Sequence, residues 1–258
     1  MTHSLLLILK VLVAVLVAAV GLGSTAADLT YLWRRPRLLL RSLLAMYLLV
    51  PLLALALVAV LPLSPGTEIA LLVLAISAGA PLVPRKLGWL QNDAYIFSLV
   101  VTSSLLAIVT VPAWAAVLAP LYGRTSELTP AHLAPVIATS FLAPLALGMV
   151  LRLPLRAVAE RLSEMILKLV GAVLVLCGLA LLVANGELLL EAGWPFLATL
   201  AVMTFGALAI GHLTGGPDPE DRTALAVCCA TRHVGIAVLV AASVPGPRTA
   251  VLVAAYIV

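Results

Sequence analysis

The chain has 258 residues, of which 64% are hydrophobic and only 10% charged, with a net charge of +4 and a mean hydropathy of +1.21. One soluble core cannot bury that much apolar surface, so a soluble enzyme or a nucleic-acid-binding domain is excluded and the class is an integral membrane protein. Apolar runs of about 20 residues recur along the whole length, which fits helices rather than the alternating strands of about 10 residues in a barrel.

Nine apolar segments follow one another: about 4–21, 38–62, 67–91, 93–119, 131–151, 163–185, 190–213, 222–244, and 246 onward. The first lacks a basic leader and carries Lys10 inside the run, so it reads as a span and not as a signal peptide. The third contains Gly79, Pro81 and Pro84, and two prolines three residues apart cannot both sit inside a regular helix. Arg85 and Lys86 follow in its inner half, as a basic lining for an anion or as residues that snorkel to the interface. Thr102, Ser103 and Ser104 put hydroxyls within the fourth span, where they can contact a substrate or bond neighbouring helices. The eighth is interrupted at Thr231-Arg232-His233-Val234-Gly235, in the middle of a stretch otherwise nearly free of charge. The ninth stops at Val258, short of a hydrocarbon core of about 30 Å, and reads as an unfinished span.

Lys and Arg in the short loops set the orientation. Arg34, Arg35 and Arg37 follow the first span, and Arg152, Arg156 and Arg161 the fifth, while the alternate loops are nearly bare. The positive-inside bias then places the N-terminus outside and the C-terminus in the cytoplasm, in an inner membrane. Cys177, Cys228 and Cys229 lie within apolar runs and read as small buried side chains.

An arginine near the bilayer centre costs about 2.5–3.5 kcal/mol on insertion scales, so Arg232 calls for a binding partner that offsets the cost. Paired interrupted spans in two oppositely oriented halves point to the midplane site of a secondary transporter. The expected site is therefore Arg232, His233 and Thr231, with Arg85, Lys86, Thr102 and Ser103. Gly79, Pro81, Pro84 and Gly235 supply the breaks. Two basic clusters near the breaks, with no acidic residue at that depth, favour a small organic anion. His233 adds a protonatable group near the site. No His-Glu metal motif, Ser/His dyad or carboxylate pair lies at membrane depth, so no enzyme, metal site or cofactor is expected.

Gly21-Leu22-Gly23 through Arg34-Arg35-Pro36-Arg37, the run Leu44 to Ala54 with Pro51, Asp93, and the block Arg222-Thr223-Ala224-Leu225 through Gly235-Ile236-Ala237 together resemble the bile acid:sodium symporter superfamily. The resemblance implies an all-α inverted-repeat transporter in one domain over 1–258, with repeat one at about 4–119 and an incomplete repeat two at about 131–258. It also implies a panel and a core, with two broken helices crossing in the core. The sodium-coupled members carry a Glu and, four residues on, a Gln in the second crossing helix; the matching positions here are Cys228 and Arg232. A further family Gln matches Met46, and the 79–84 region lacks the family's Ser-Asn pair. A thiol, a thioether and a guanidinium do not replace the oxygen ligands a hard cation requires, which argues against sodium coupling. Two alternatives accompany the anion reading. Cys228-Cys229 raises a metalloid (arsenite-like) efflux carrier, and the same fold could serve as a non-transporting sensor or receptor module.

Overall fold

The computed structural model describes residues 2–77, 93–118, 130–184, 186–231 and Ala237; Gly79, Pro81, Pro84, Arg85, Lys86, Arg232, His233, Gly235 and the ninth span lie outside the described residues. Among the described residues every regular element is a helix. We number them α1 (Thr2–Gly23), α2 (Ala26–Leu29), α3 (Pro36–Val60), α4 (Pro65–Ile76), α5 (Asp93–Leu118), α6 (Pro130–Ile137, continued through Ala138–Leu142 and Ala143–Arg152), α7 (Ala159–Ala184), α8 (Gly186–Thr214) and α9 (Pro219–Ala230). Three stretches among the described residues are long and apolar enough to cross a membrane: Pro36–Val60, Ala94–Leu118 and Gly193–Thr214.

Local chemistry sets the helix boundaries. Pro36, Pro65 and Pro219 each occupy a first helical position, where the missing N–H is not needed and φ is already helical. Ser64 and Asp218 cap the two latter helices, accepting from Thr67 N–H and Glu220 N–H. Thr25 and Asp28 form a reciprocal capping box that starts α2. In α8 the backbone kinks at Gly193, whose φ of 69° and ψ of −174° suit a residue without Cβ. The membrane-length part of α8 therefore starts at Gly193 and not at the expected 190.

Proline leaves its mark within the spans too. Pro51 in α3 has no N–H for the carbonyl of Tyr47, one turn earlier. The Trp114 indole Nε1–H of α5 fills that vacancy at 2.9 Å. The Tyr47 hydroxyl returns across the same interface to the Ser103 carbonyl at 2.5 Å. Just before the proline, Ala45–Leu49 widens into a π turn, with Val50 N–H donating to Ala45. The same arrangement recurs in α6, where Ala138–Leu142 widens ahead of Pro144.

The helices assemble as two groups. In the first, α1 packs on the second half of α6 and on α7. A Cβ on Gly21 would overlap the Leu145 carbonyl, and one on Gly148 the Ala18 carbonyl, so these glycines let two backbones touch. Ser163 of α7 donates to the Ala19 carbonyl at 2.6 Å. Arg152 donates to the Leu22 carbonyl at 3.1 Å, placing a cation at the negative end of α1. In the second group, α3, α4, α5, α8 and α9 enclose the larger apolar core, to which Val13 and Val17 of α1 and Ile137, Phe141 and Leu145 of α6 also belong. There α9 crosses α8 at Gly211 and Gly215, where an added Cβ would stand 2.5 Å from the Cα atoms of Ala226 and Arg222 respectively.

Candidate functional site

The site begins with two half-length helices. α4 and α9 are each 12 residues long, start with proline behind a capping side chain, and stop at a hydroxyl residue. At the end of α4, Ser77 sends both its N–H (3.1 Å) and its Oγ (2.6 Å) to the Val73 carbonyl. At the end of α9, Thr231 sends its N–H (3.0 Å) and its Oγ1 (2.7 Å) to the Val227 carbonyl. Thr231 itself is extended, with φ −97° and ψ 158°. One constant offset carries Val60 to Thr214, Ser64 to Asp218, Pro65 to Pro219, Ile76 to Ala230 and Ser77 to Thr231. The α3–α4 and α8–α9 hairpins are thus matched in the length of the short helix, in the link before it and in the hydroxyl that ends it. Helix α9 ends at Ala230, directly before Thr231, while the expected break residues Gly79, Pro81, Pro84 and Gly235 lie outside the described residues.

Helix α9 packs against α8, against α5 and against the widened turn of α3. Its inner face is small and apolar, with Ala224, Leu225, Cys228 and Cys229 fully buried. The widened turn of α3 contributes Met46, also fully buried. The structure therefore brings together the segments that bear Met46 and Cys228, the two described positions that the resemblance aligns with sodium ligands. Sulfur and hydrocarbon occupy that neighbourhood. Adjacent residues on a helix point about 100° apart, so Cys228 and Cys229 do not aim at one point.

Helix α5 supplies the polar side chains. Hydroxyls on these helices usually donate back to the carbonyl four residues earlier, as Ser42 does to Leu38, Thr110 to Leu106, Thr199 to Pro195 and Thr204 to Leu200. Ser103 takes the Val100 carbonyl at 3.0 Å. Thr102 Oγ1 and Ser104 Oγ are buried and have no hydrogen-bond partner among the described residues. Buried hydroxyls are nearly always paired, so these two call for an explanation. They lie about 200° apart around α5 and open onto different flanks. Thr102 shares its flank with Tyr95 and Ser98; Ser104 shares one with Val100, Ala107 and Val111, all three buried. Leu105 occupies an exposed position between them, and Val109, two turns on from Thr102, is exposed as well.

Of the expected site residues, Thr231, Thr102 and Ser103 are described. The structure places Thr231 at the end of α9 and Thr102 on the packed neighbour α5, the latter with a free hydroxyl. Ser103 sits in the α3–α5 clamp, its carbonyl held by Tyr47. A polar cluster at the end of the second group was not anticipated. Ser98 Oγ receives the Leu32 N–H at 3.1 Å and donates to the Leu29 carbonyl at 2.9 Å. Ser42 and Tyr95 share a 2.7 Å hydrogen bond, and the Tyr31 ring stands edge-on to Tyr95. Arg35 lies 4.2 Å over the Tyr31 ring and 3.9 Å from the Asp221 carboxylate. The cluster ties the loop before α3 to α5 and α9. A polar residue on an otherwise apolar face, such as Ser98, was its signal in the sequence.

The chain matches the sodium bile acid symporter family over residues 10–192. That stretch runs from within α1 to the start of α8 and takes in more than half of the chain. No curated protein matches the chain. The apolar helices and this match make it a multi-pass membrane protein. The chain belongs to the sodium bile acid symporter family, whose members are transporters and not enzymes.

Proposed function

We propose that this protein is a secondary active transporter of a small organic anion, working by alternating access in a cytoplasmic membrane with its N-terminus outside. The matched α3–α4 and α8–α9 hairpins carry the reading. Equal half-helices, equal links and equal hydroxyl caps are what two copies of one repeat produce. The two copies run in opposite senses under the charge bias of the loops. In this reading α1, α6 and α7 form a panel, and α3, α4, α5, α8 and α9 the core that moves against it. The substrate meets the core just past the two hydroxyl caps, beside the unpaired Thr102. Arg232 follows Thr231 directly and supplies the counter-charge, with Arg85 and Lys86 on the other broken span. Gly79, Pro81, Pro84 and Gly235 make the breaks.

Sodium does not drive this carrier in our reading. The fully buried Met46 and Cys228 stand where the sodium-coupled pattern has oxygen donors, and Arg232 brings a tethered positive charge in place of a mobile one. His233 is the candidate coupling group, through a proton. The test is anion uptake into proteoliposomes loaded with the purified chain. Wild type takes up the anion equally in sodium and in potassium, while Arg232→Ala reconstitutes normally and shows no uptake. Sodium-dependent uptake, or full uptake by Arg232→Ala, overturns the proposal.

A further inference from the structure

A second charged site lies away from the broken helices, at the membrane end where α3 begins and α8 hands over to α9. A cavity of about 550 Å³ opens there, lined by Arg41, Arg222, Thr214, Gly216 and Leu213 among others. Gly216 holds a φ of 94°, which turns the link so that its carbonyl accepts the Arg222 Nε–H at 2.6 Å. That bond fixes the guanidinium plane and leaves its terminal NH2 groups open. Arg41 approaches the same turn from α3: its nearest guanidinium nitrogen would stand 3.6 Å from a Cβ on Gly216. Among the described residues neither arginine has a carboxylate within 4.0 Å. The acidic neighbours are engaged elsewhere or face out. Asp218 accepts the Glu220 N–H at 3.0 Å, Asp221 lies 3.9 Å from Arg35, and Glu220 is exposed.

Below this pair of cations the surface is apolar and open. On α3, Leu44 and Leu48 continue the stripe of Arg41 at helical spacing, both exposed. On α8, Val202, Phe205 and Leu213 form a parallel exposed stripe, with Phe205 70% and Leu213 82% accessible. The two helices pack side by side. Two guanidiniums with no carboxylate partner among the described residues, at one end of two exposed apolar stripes, match the two parts of a phospholipid. Guanidinium forks suit a phosphate, and leucine and phenylalanine suit acyl chains.

We propose that Arg41 and Arg222 bind the phosphate of an anionic phospholipid, whose chains run along the groove between α3 and α8. Such a lipid would rest on the α3–α8 contact and on the α8–α9 link, both parts of the moving core in the proposed function, although the site itself does not depend on that reading.

The test is native mass spectrometry of the full chain in neutral detergent, titrated with phosphatidylglycerol or with phosphatidylcholine of the same acyl chains. Wild type retains phosphatidylglycerol preferentially. The preference falls about fivefold for each arginine removed and about thirtyfold in Arg41→Gln/Arg222→Gln, and it persists in Arg156→Gln, an exposed arginine elsewhere. Arg41→Lys/Arg222→Lys keeps the charges and most of the preference, which covers the case in which the double glutamine variant does not fold. Equal retention of the two lipids by wild type overturns the proposal, as does a preference that survives Arg41→Gln/Arg222→Gln. Millimolar inorganic phosphate that displaces phosphatidylglycerol and raises the melting temperature as much by itself would make the ligand free phosphate, and overturns the lipid assignment.

Discussion

Replacing Thr102 by valine should stabilise the protein and impair it at the same time. The two side chains have nearly the same shape, so the substitution removes one hydroxyl and leaves the packing in place. Thr102 is 2% exposed and its Oγ1 has no partner among the described residues. A buried hydroxyl left unsatisfied costs about 1–3 kcal/mol. For a chain of this size each kcal/mol moves the melting temperature by about 2–4 °C, so Thr102→Val should melt roughly 2 to 12 °C higher in detergent without substrate. Thr110→Val is the matched control. Its hydroxyl is bonded to the Leu106 carbonyl at 3.1 Å, so its loss should cost about 0.5–1.5 kcal/mol and lower the melting temperature. Uptake in proteoliposomes supplies the second readout, with an increased KM expected for Thr102→Val and none for Thr110→Val. If Thr102→Val melts lower, as the control does, the hydroxyl has a partner in the resting protein and the reasoning fails. If it melts higher with unchanged uptake, Thr102 is no part of the substrate site.

Three further outcomes follow from the packing and the site. Gly148→Ala should destabilise by about 1–3 kcal/mol through overpacking, because a methyl there overlaps the Ala18 carbonyl, whereas Gly171→Ala, which meets nothing within 4 Å, should be neutral or gain up to about 1 kcal/mol of helix propensity; equal melting shifts would contradict the α1–α6 contact. Trp114→Phe should cost about 1–3 kcal/mol by stranding the Tyr47 carbonyl. In the background of Pro51→Ala, which restores a backbone donor, that cost should shrink, and a double-mutant cycle with no coupling would count against the pairing. Finally, a thermal-shift screen against organic anions should give stabilisation that is the same with and without sodium; a sodium-dependent shift would restore the family's coupling to this chain.

The sequence and the structure carry different parts of this account, and the boundary between them has a physical cause. Helix positions were readable because a bilayer demands long apolar runs with every backbone group paired internally. The expected span at 38–62 and the observed helix Pro36–Val60 differ by only a turn end. Ser64-Pro65 and Asp218-Pro219 start their helices a few residues before the expected span starts at 67 and 222, because a cap and a proline extend the helix beyond the apolar run. The hydroxyls of α5 were legible as candidates, but their bonding was not. Thr102, Ser103 and Ser104 are consecutive and chemically alike, and only the packing shows that Ser103 belongs to the Tyr47–Trp114 clamp while the other two are unpaired. Tyr47 could have been singled out from its place one turn before Pro51. The identity of the donor that reaches its freed carbonyl, 67 residues away, could not.

By itself the sequence determined that this chain lives in a membrane and that it is helical. Both follow from composition and from the internal pairing of backbone groups that a bilayer demands. Only the tertiary structure decided which helices meet: α1 with α6 and α7, α9 with α8, α5 and the widened turn of α3. Lipid-facing and protein-facing residues of a membrane helix are equally apolar, so hydrophobicity carries no record of partners. Close approach at Gly21, Gly148, Gly211 and Gly215, and hydrogen bonds between distant segments, select the pairs. The same packing set Arg41 beside Arg222 across a large gap in sequence, which no reading of the chain in order would have joined.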